Sequence, residues 1–359
     1  MFMESASSGK RRNAELDRHF WYAMMRSSMK PAALYILEPG NFEVIYGPEE
    51  QAAIASQVRL LGAPLSRQQC YEHPDPLREV DCIFSGWGAP LMDEKFLAAA
   101  PKLKVVFYGS GSIRGFVTDA FWRRGIVVTS AYAANAVPVV EYTLAVIVLS
   151  LKHFWRHAAA AKAKTRSSRS TAVPGAYRST VGVISLGMIG RQVCERLRAH
   201  DVRVLAYDPF ATPAQAAALH VELCSLAEIF QRADVVTLHT PWLKETEGLL
   251  TGAHFAALKP GATFINTARG AIVRETELIE VLTRRPELQA VLDVTYPEPP
   301  VPESPLYTLP NVVLTPHIAG SMDNECRRMG HYMVEELGRY CAGQPLKWQI
   351  TKDLAAKLA

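Results

Sequence analysis

Arg269, Glu298 and His317 are the residues of this 359-residue chain whose types and spacing suggest chemistry. A permanently charged guanidinium, a carboxylate and an imidazole are groups suited to proton transfer beside an anion. They lie 29 and 19 residues apart (298 − 269 and 317 − 298), and each follows a short apolar run. The run 263–266 leads into TARG, the run 289–292 into Asp293 and the proline-rich loop YPEPPVPESP that holds Glu298, and the run 312–314 into TPH. Read as parallel strands, these runs deliver all three side chains to one rim, where a doubly wound sheet collects its ligands. Each residue alone has a plainer account: a surface arginine, an acid in a polar loop, a structural histidine. Their joint placement points to a site.

The stretch 180–208, TVGVISLGMIGRQVCERLRAHDVRVLAYD, is the element that would bring a cofactor to that rim. Val181 to Leu186 reads as a buried strand that breaks at Gly187 and Gly190. Ile189, Val193 and Leu197 then recur at helical spacing, and a second strand, Val202 to Tyr207, ends on Asp208. A helix that starts directly after a strand points unpaired N–H groups and its positive dipole end at whatever lies over the turn, and a pyrophosphate fits there. Asp208, 18 residues after Gly190 (208 − 190), suits an adenosine ribose and repels a 2′-phosphate, which favours NAD over NADP. The fingerprint G-x-G-x-x-G is degenerate here, SLGMIG, with Ser185 in place of the first glycine. Taken by itself it is as compatible with an ordinary strand-turn-helix.

The remaining chain alternates strand and helix, the pattern of a parallel sheet. Strands are expected at 32–37, 81–85, 103–108 and 126–129, with helices over 49–61 and 92–100. After the third of these strands comes Gly109-Ser110-Gly111-Ser112, which either frees N–H groups for an anion such as a carboxylate or simply turns the chain. Arg114 just beyond would meet a second negative charge or sit in solvent. From Val137 a long helix is expected to run to about Lys164. The stretch 162–178 carries five basic residues and no acid, and reads as a solvated loop. Further strands follow at 235–238, 263–266, 289–292 and 312–314, with helices over 275–283 and 323–340, and a tail that returns to the first domain.

Composition narrows the class. With 49% hydrophobic and 21% charged residues, the chain suits soluble α/β domains, about two at this length. A net charge of +4 is too mild for nucleic acid without a basic face and a recognisable module. The six cysteines show neither C-x-x-C nor metal-like spacing with histidine, so no metal site is expected, and free thiols in a reducing cytoplasm are. Residues 1–30 lack the apolar core of a signal peptide and read as an extension, with Met29 as an alternative start. The most apolar window, 137–149, contains Glu141 and is short for a membrane span, so a buried helix and no membrane contact are expected.

On GSGSIRGF, ANAVPVVEYTLA, VGVISLGMIGR, AYDP, LHTPWLKETEGLL, FINTARGAIV, DVTYPEP and LTPHIAG, the chain resembles the D-isomer-specific 2-hydroxyacid dehydrogenase family from about residue 29 to 351. The resemblance implies two doubly wound parallel-sheet α/β domains with the active site in their cleft, and a homodimer. One would be a Rossmann NAD-binding domain (135–321), the other a flavodoxin-like substrate domain (31–134 plus 322–359). By resemblance, Arg269 holds the substrate carboxylate and polarises its carbonyl, His317 exchanges the proton, and Glu298 favours the charged imidazole. Asp293 orients the nicotinamide amide, Met188 and Ile189 offer N–H groups beside Gly187 and Gly190, and Thr240, Thr246 and Thr267 line the cofactor with Asp208. Ser110 and Gly111 clamp the carboxylate. The implied reaction is hydride transfer between NAD and a small 2-oxo or 2-hydroxy acid. Two alternatives use the same scaffold: an NADH-sensing corepressor, and oxidation of a phosphonate- or phosphite-type anion, for which Arg114 and the basic residues near Trp122 to Arg124 are suited. Ser185 and the absence of an acidic or amide residue after Gly111 depart from the family pattern, and Trp87 has no assigned role.

Overall fold

The computed structural model describes residues 30–164 and 173–357. The expected extension up to residue 29, and residues 165–172 of the expected basic loop, lie outside the described residues. Two compact units emerge: one takes in the described residues up to Ser130 together with Gly330–Ile350, the other Ala131–Met329 and the tail from Thr351.

The first unit is built on β1 (Ala32–Ile36), β2 (Arg59–Leu60), β3 (Cys82–Ser85), β4 (Val105–Tyr108) and β5 (Val127–Ser130), joined at one edge by β13 (Gln349–Ile350). Their order, β2-β1-β3-β4-β5-β13, is the flavodoxin-like one with a returning edge strand. All pairs are parallel except β13 with β5. The central strands are uninterrupted apolar runs because helices cover both faces, and Phe84 stacks on Phe107 at 5.0 Å between ring centroids. Ile36, Ser85, Tyr108 and Ser130 stand side by side, so these strands release the chain at one level.

The second unit holds β6 (Thr180–Ile184), β7 (Arg203–Tyr207), β8 (Glu222–Leu223), β9 (Val235–Leu238), β10 (Thr263–Asn266), β11 (Gln289–Leu292) and β12 (Val312–Leu314). They are all parallel in the order β8-β7-β6-β9-β10-β11-β12, a Rossmann sheet whose direction of winding switches between β6 and β9. Alternate residues feed two cores: Phe264, Ala290 and Leu292 join Phe230 and Phe255 on one face, whereas Ile265 and Val291 join Val140, Ile147 and Val193 on the other.

Three sequence expectations are corrected. The long helix starts at Tyr132 and ends at Ser150, and a separate helix, Phe154–Lys162, follows. The break is at His153, whose backbone is left-handed (φ 49°) and whose ring packs on Gly261. The helix expected over 49–61 is Pro48–Gln57, because residues 59 and 60 leave it to pair with β1. The last helix begins at Cys326, after a single 3-10 turn. The helix Tyr132–Ser150 is long and apolar enough to cross a membrane, yet over half of its most apolar window is buried inside the protein.

Candidate active site

Asn266, Leu292 and Leu314 are register partners, so β10, β11 and β12 end together and their loops share one rim. There His317 and Glu298 meet: imidazole Nδ1 lies 2.6 Å from carboxylate Oε1. Both side chains remain open to solvent, 47% and 40% exposed, so a small molecule can reach them. With Nδ1 turned to the carboxylate, Nε2 is the ring nitrogen left to face a ligand.

The loop that carries His317 is held from below by Asp293. This carboxylate is buried, and its Oδ1 accepts from the Thr315 hydroxyl (2.6 Å) and from the Ile318 N–H (2.8 Å). Its Oδ2 accepts from the Ala319 N–H (2.9 Å), and its backbone carbonyl from the His317 N–H (2.9 Å). The grip keeps His317 at φ 57°, a left-handed conformation that non-glycine residues seldom adopt. Tyr142 adds a hydroxyl contact to Thr315 at 3.1 Å.

Arg269 sits in the neighbouring turn, half-buried. Asn266 shapes that turn: its Nδ2 donates to the Arg269 carbonyl (3.1 Å) and its Oδ1 accepts from the Ala268 N–H (3.0 Å). Gly270 lets the turn lie directly on the glutamate loop, since a Cβ there would come within 2.0 Å of the Thr295 carbonyl carbon. The turns of Arg269 and Glu298 are therefore in backbone contact. Thr267 meets Thr143 at 3.2 Å between hydroxyls.

At the switch between β6 and β9 the strand-turn-helix takes the expected form. Gly187 caps the helix Met188–Leu197 with no side chain over its first N–H groups, and a Cβ built on Gly187 would enter open space. Gly190 is packed instead: a Cβ would lie 2.0 Å from the Ser185 carbonyl oxygen. Ser185 adopts φ 75°, the conformation that a glycine would take without strain, and its hydroxyl is 2.7 Å from that of Thr240 across the switch. Asp208 accepts from the Leu186 N–H (2.7 Å) and the Phe210 N–H (2.8 Å), one per carboxylate oxygen, and each oxygen keeps a second lone pair. An open cradle at a helix start, with an acid at the end of β7, fits a dinucleotide. Thr246 is occupied within its own loop, donating to the Pro241 carbonyl (2.6 Å) and accepting from the Leu243 N–H (2.8 Å). Beside Thr240, burial pushes the His239 imidazole down to about 3, so this ring is neutral.

In the first unit, Ser110 is buried and Gly111 follows it at the end of β4. Burial also raises the Tyr108 phenol just before them. Arg114 is exposed.

Thr315, Asn266, Gly270, Tyr142 and Thr143 were not singled out from the sequence. The signal for the first three is their position at strand ends within the same motifs; Tyr142 and Thr143 lie in the motif ANAVPVVEYTLA, but their contacts with Thr315 and Thr267 are remote in sequence and carry no pattern of their own.

Residues 144–319 match the family model described as D-isomer specific 2-hydroxyacid dehydrogenase, NAD binding domain. D-3-phosphoglycerate dehydrogenase of Mycobacterium tuberculosis is 36% identical over 256 residues, which is 71% of this chain and 48% of that protein. The chain thus spans about half the length of the curated relatives it matches. Among solved structures, the TT0316 protein of Thermus thermophilus superposes with a TM-score of 0.71 at 27% identity, over 89% of this chain and 100% of that one. Rhodotorula graminis D-mandelate dehydrogenase shares the fold with a TM-score of 0.76 at 21% identity, over 90% and 98% of the two chains. The motifs, the family model and the two-sheet fold converge, and the chain belongs to the D-isomer specific 2-hydroxyacid dehydrogenase family, with its Rossmann unit as the NAD-binding domain.

Proposed function

We propose that the protein is an NAD-dependent oxidoreductase that interconverts a 2-oxo acid and a D-2-hydroxy acid. The observation that carries this reading is the 2.6 Å contact between His317 Nδ1 and Glu298 Oε1 on the rim that also bears Arg269. The nicotinamide supplies or takes the hydride. Arg269 grips the substrate carboxylate and draws electron density from the carbonyl with its planar donor fork. In reduction, the charged His317 gives a proton from Nε2 to the oxygen that becomes the hydroxyl; in oxidation, the neutral ring takes it back. Glu298 accepts from Nδ1, fixes the tautomer and stabilises the imidazolium.

The remaining assignments follow the same reading. Met188 and Ile189 give N–H groups to the pyrophosphate between Gly187 and Gly190, Asp208 receives the ribose, and Thr240, Thr246, Thr267 and Asp293 border the cofactor. Ser110 and Gly111 hold the carboxylate from the first unit. The name of the Mycobacterium tuberculosis relative makes a phosphorylated three-carbon acid one substrate to test first, with Arg114 on the substrate-side unit.

The test is loss of NADH absorbance with a panel of 2-oxo acids that includes phosphorylated members, together with His317→Gln and Glu298→Gln. At least one acid is expected to consume NADH and yield the D-hydroxy product. His317→Gln should lower kcat by about 10²–10⁴ and Glu298→Gln by less, in line with general acid-base contributions. A folded, NADH-binding protein inactive on every member of the panel would instead support the corepressor-like alternative.

A further inference from the structure

The loop 109–112 leaves β4 next to the last residue of β5, since Tyr108 and Ser130 are register partners. The Ser130 hydroxyl is fully buried and lies 2.9 Å from the Ser110 carbonyl oxygen and 2.5 Å from that of Gly111. One hydroxyl proton is thus shared between two successive carbonyls. In a planar trans peptide, C=O and N–H point in opposite directions. Drawing these two carbonyls to one point therefore turns the next two N–H groups, those of Gly111 and Ser112, together toward the other side. Two successive N–H groups on one side of a loop can each donate to one oxygen of a carboxylate. Gly109 is held by its N–H on the Ser85 carbonyl (2.8 Å), so without the Ser130 hydroxyl it is the segment from Ser110 through Gly111 that loses an anchor and that a ligand would have to order on binding. Ser130 is itself fixed, because its N–H donates to the Trp348 carbonyl (3.1 Å) in the segment that leads into β13. That segment is tied down by the buried carboxylate of Glu336, which accepts from the N–H groups of Lys347 (3.1 Å) and Trp348 (3.0 Å).

We propose that Ser130 is a positioning residue for substrate: by holding the carbonyls of Ser110 and Gly111, its hydroxyl fixes the clamp loop, so that the N–H of Gly111, with that of Ser112 added to the clamp, is already turned to receive the carboxylate of the 2-oxo acid. The proposal rests on the dehydrogenase reading above and adds to it a residue that touches neither substrate nor cofactor.

The test compares wild type with Ser130→Ala, the nearly isosteric Ser130→Cys, and Ser130→Thr, which keeps a hydroxyl. Steady-state kinetics on the best 2-oxo acid of the panel are read beside the inhibition constant of oxamate and the Kd of NADH from fluorescence. A carboxylate clamp binds ground state and transition state alike, so its loss raises KM and leaves kcat in place. In Ser130→Ala, KM and the oxamate constant should each rise about tenfold, the effect of about 1.4 kcal/mol, typical of one lost donor. The cysteine variant should fall between, the threonine variant near wild type, and kcat and the NADH Kd should stay within about twofold. Unchanged KM in the alanine or cysteine variant would overturn the proposal, as would equal losses in kcat and NADH binding. A wild-type protein that reduces no 2-oxo acid would sink the dehydrogenase reading itself, a result that is seen before any variant is made.

Discussion

Replacing Asp293 tests whether the acid-base pair is placed by the fold or finds its own position. The side chain accepts three hydrogen bonds, from the Thr315 hydroxyl and the Ile318 and Ala319 N–H groups, in a position 2% exposed. Asp293→Asn keeps the volume but turns an amide NH₂ toward groups that are themselves donors, so at least one N–H loses its acceptor. An unsatisfied buried donor costs about 1–3 kcal/mol, which puts the asparagine variant at roughly 2 kcal/mol and Asp293→Ala, with all three acceptor contacts gone, at on the order of 5 kcal/mol. For a unit of this size, 2 kcal/mol lowers Tm by about 4–8 °C. The catalytic effect should be larger than the thermal one. His317 is held at φ 57°, a conformation disfavoured by about 1–2 kcal/mol, and a released loop relaxes from it. A displacement of about 1 Å at a proton donor is enough to cost about 10²-fold in kcat. The assay is thermal unfolding together with NADH oxidation on the best 2-oxo acid. Wild-type kcat in Asp293→Asn, with Tm lowered as expected, would refute the link between this clamp and the position of His317.

Two further outcomes follow from packing and charge. Gly190→Ala places a methyl 2.0 Å from the Ser185 carbonyl oxygen, so the helix must move off β6; a loss of about 2 kcal/mol or more and a weakened NADH Kd are expected, by melting and fluorescence titration. His239 is neutral and buried with its pKa pushed down to about 3, so between pH about 6.5 and 3 the unfolded chain binds a proton that the folded one refuses; stability is therefore lost as pH falls, by up to about 1.4 kcal/mol per unit, and His239→Gln should flatten the slope of unfolding free energy against pH by that amount.

Much of this architecture is legible in the sequence because parallel strands buried on both faces appear as apolar runs that end at a functional residue. The runs before Arg269, Asp293 and His317 are β10, β11 and β12 with the same ends to within a residue. The short edge strands β2 and β8 were not legible: residues 59 and 60 are exposed and carry no alternating pattern. The run of helix formers from Val137 to Lys164 concealed the turn at His153, because the break follows from how the ring meets Gly261, a contact distant in sequence. Ser185 shows the same limit from the other side. Its departure from the glycine fingerprint is visible in the sequence, and its backbone takes the left-handed conformation that suits glycine, φ 75°, but the hydroxyl contact with Thr240 that accompanies it depends on β6 and β9 being neighbours.

The helix Tyr132–Ser150 explains how the loop of the exposed His317–Glu298 pair is kept in register. Through Tyr142 it reaches Thr315, below His317; through Thr143 it reaches Thr267, before Arg269; and Asn135 Oδ1 accepts from the Ser321 N–H, after the histidine loop, at 2.8 Å. One helix thus touches the turns of both Arg269 and His317, and it does so with uncharged side chains. That choice has a physical reason. A buried ion beside the site would bring a desolvation cost and a field that competes with Arg269 for the substrate's charge, whereas hydroxyl and amide contacts fix geometry with little of either. Asp293 is the exception, and its charge is matched by the Thr315 hydroxyl and the Ile318 and Ala319 N–H groups rather than by a cation, so it too fixes geometry without drawing on the guanidinium of Arg269, the group proposed to hold the substrate's carboxylate.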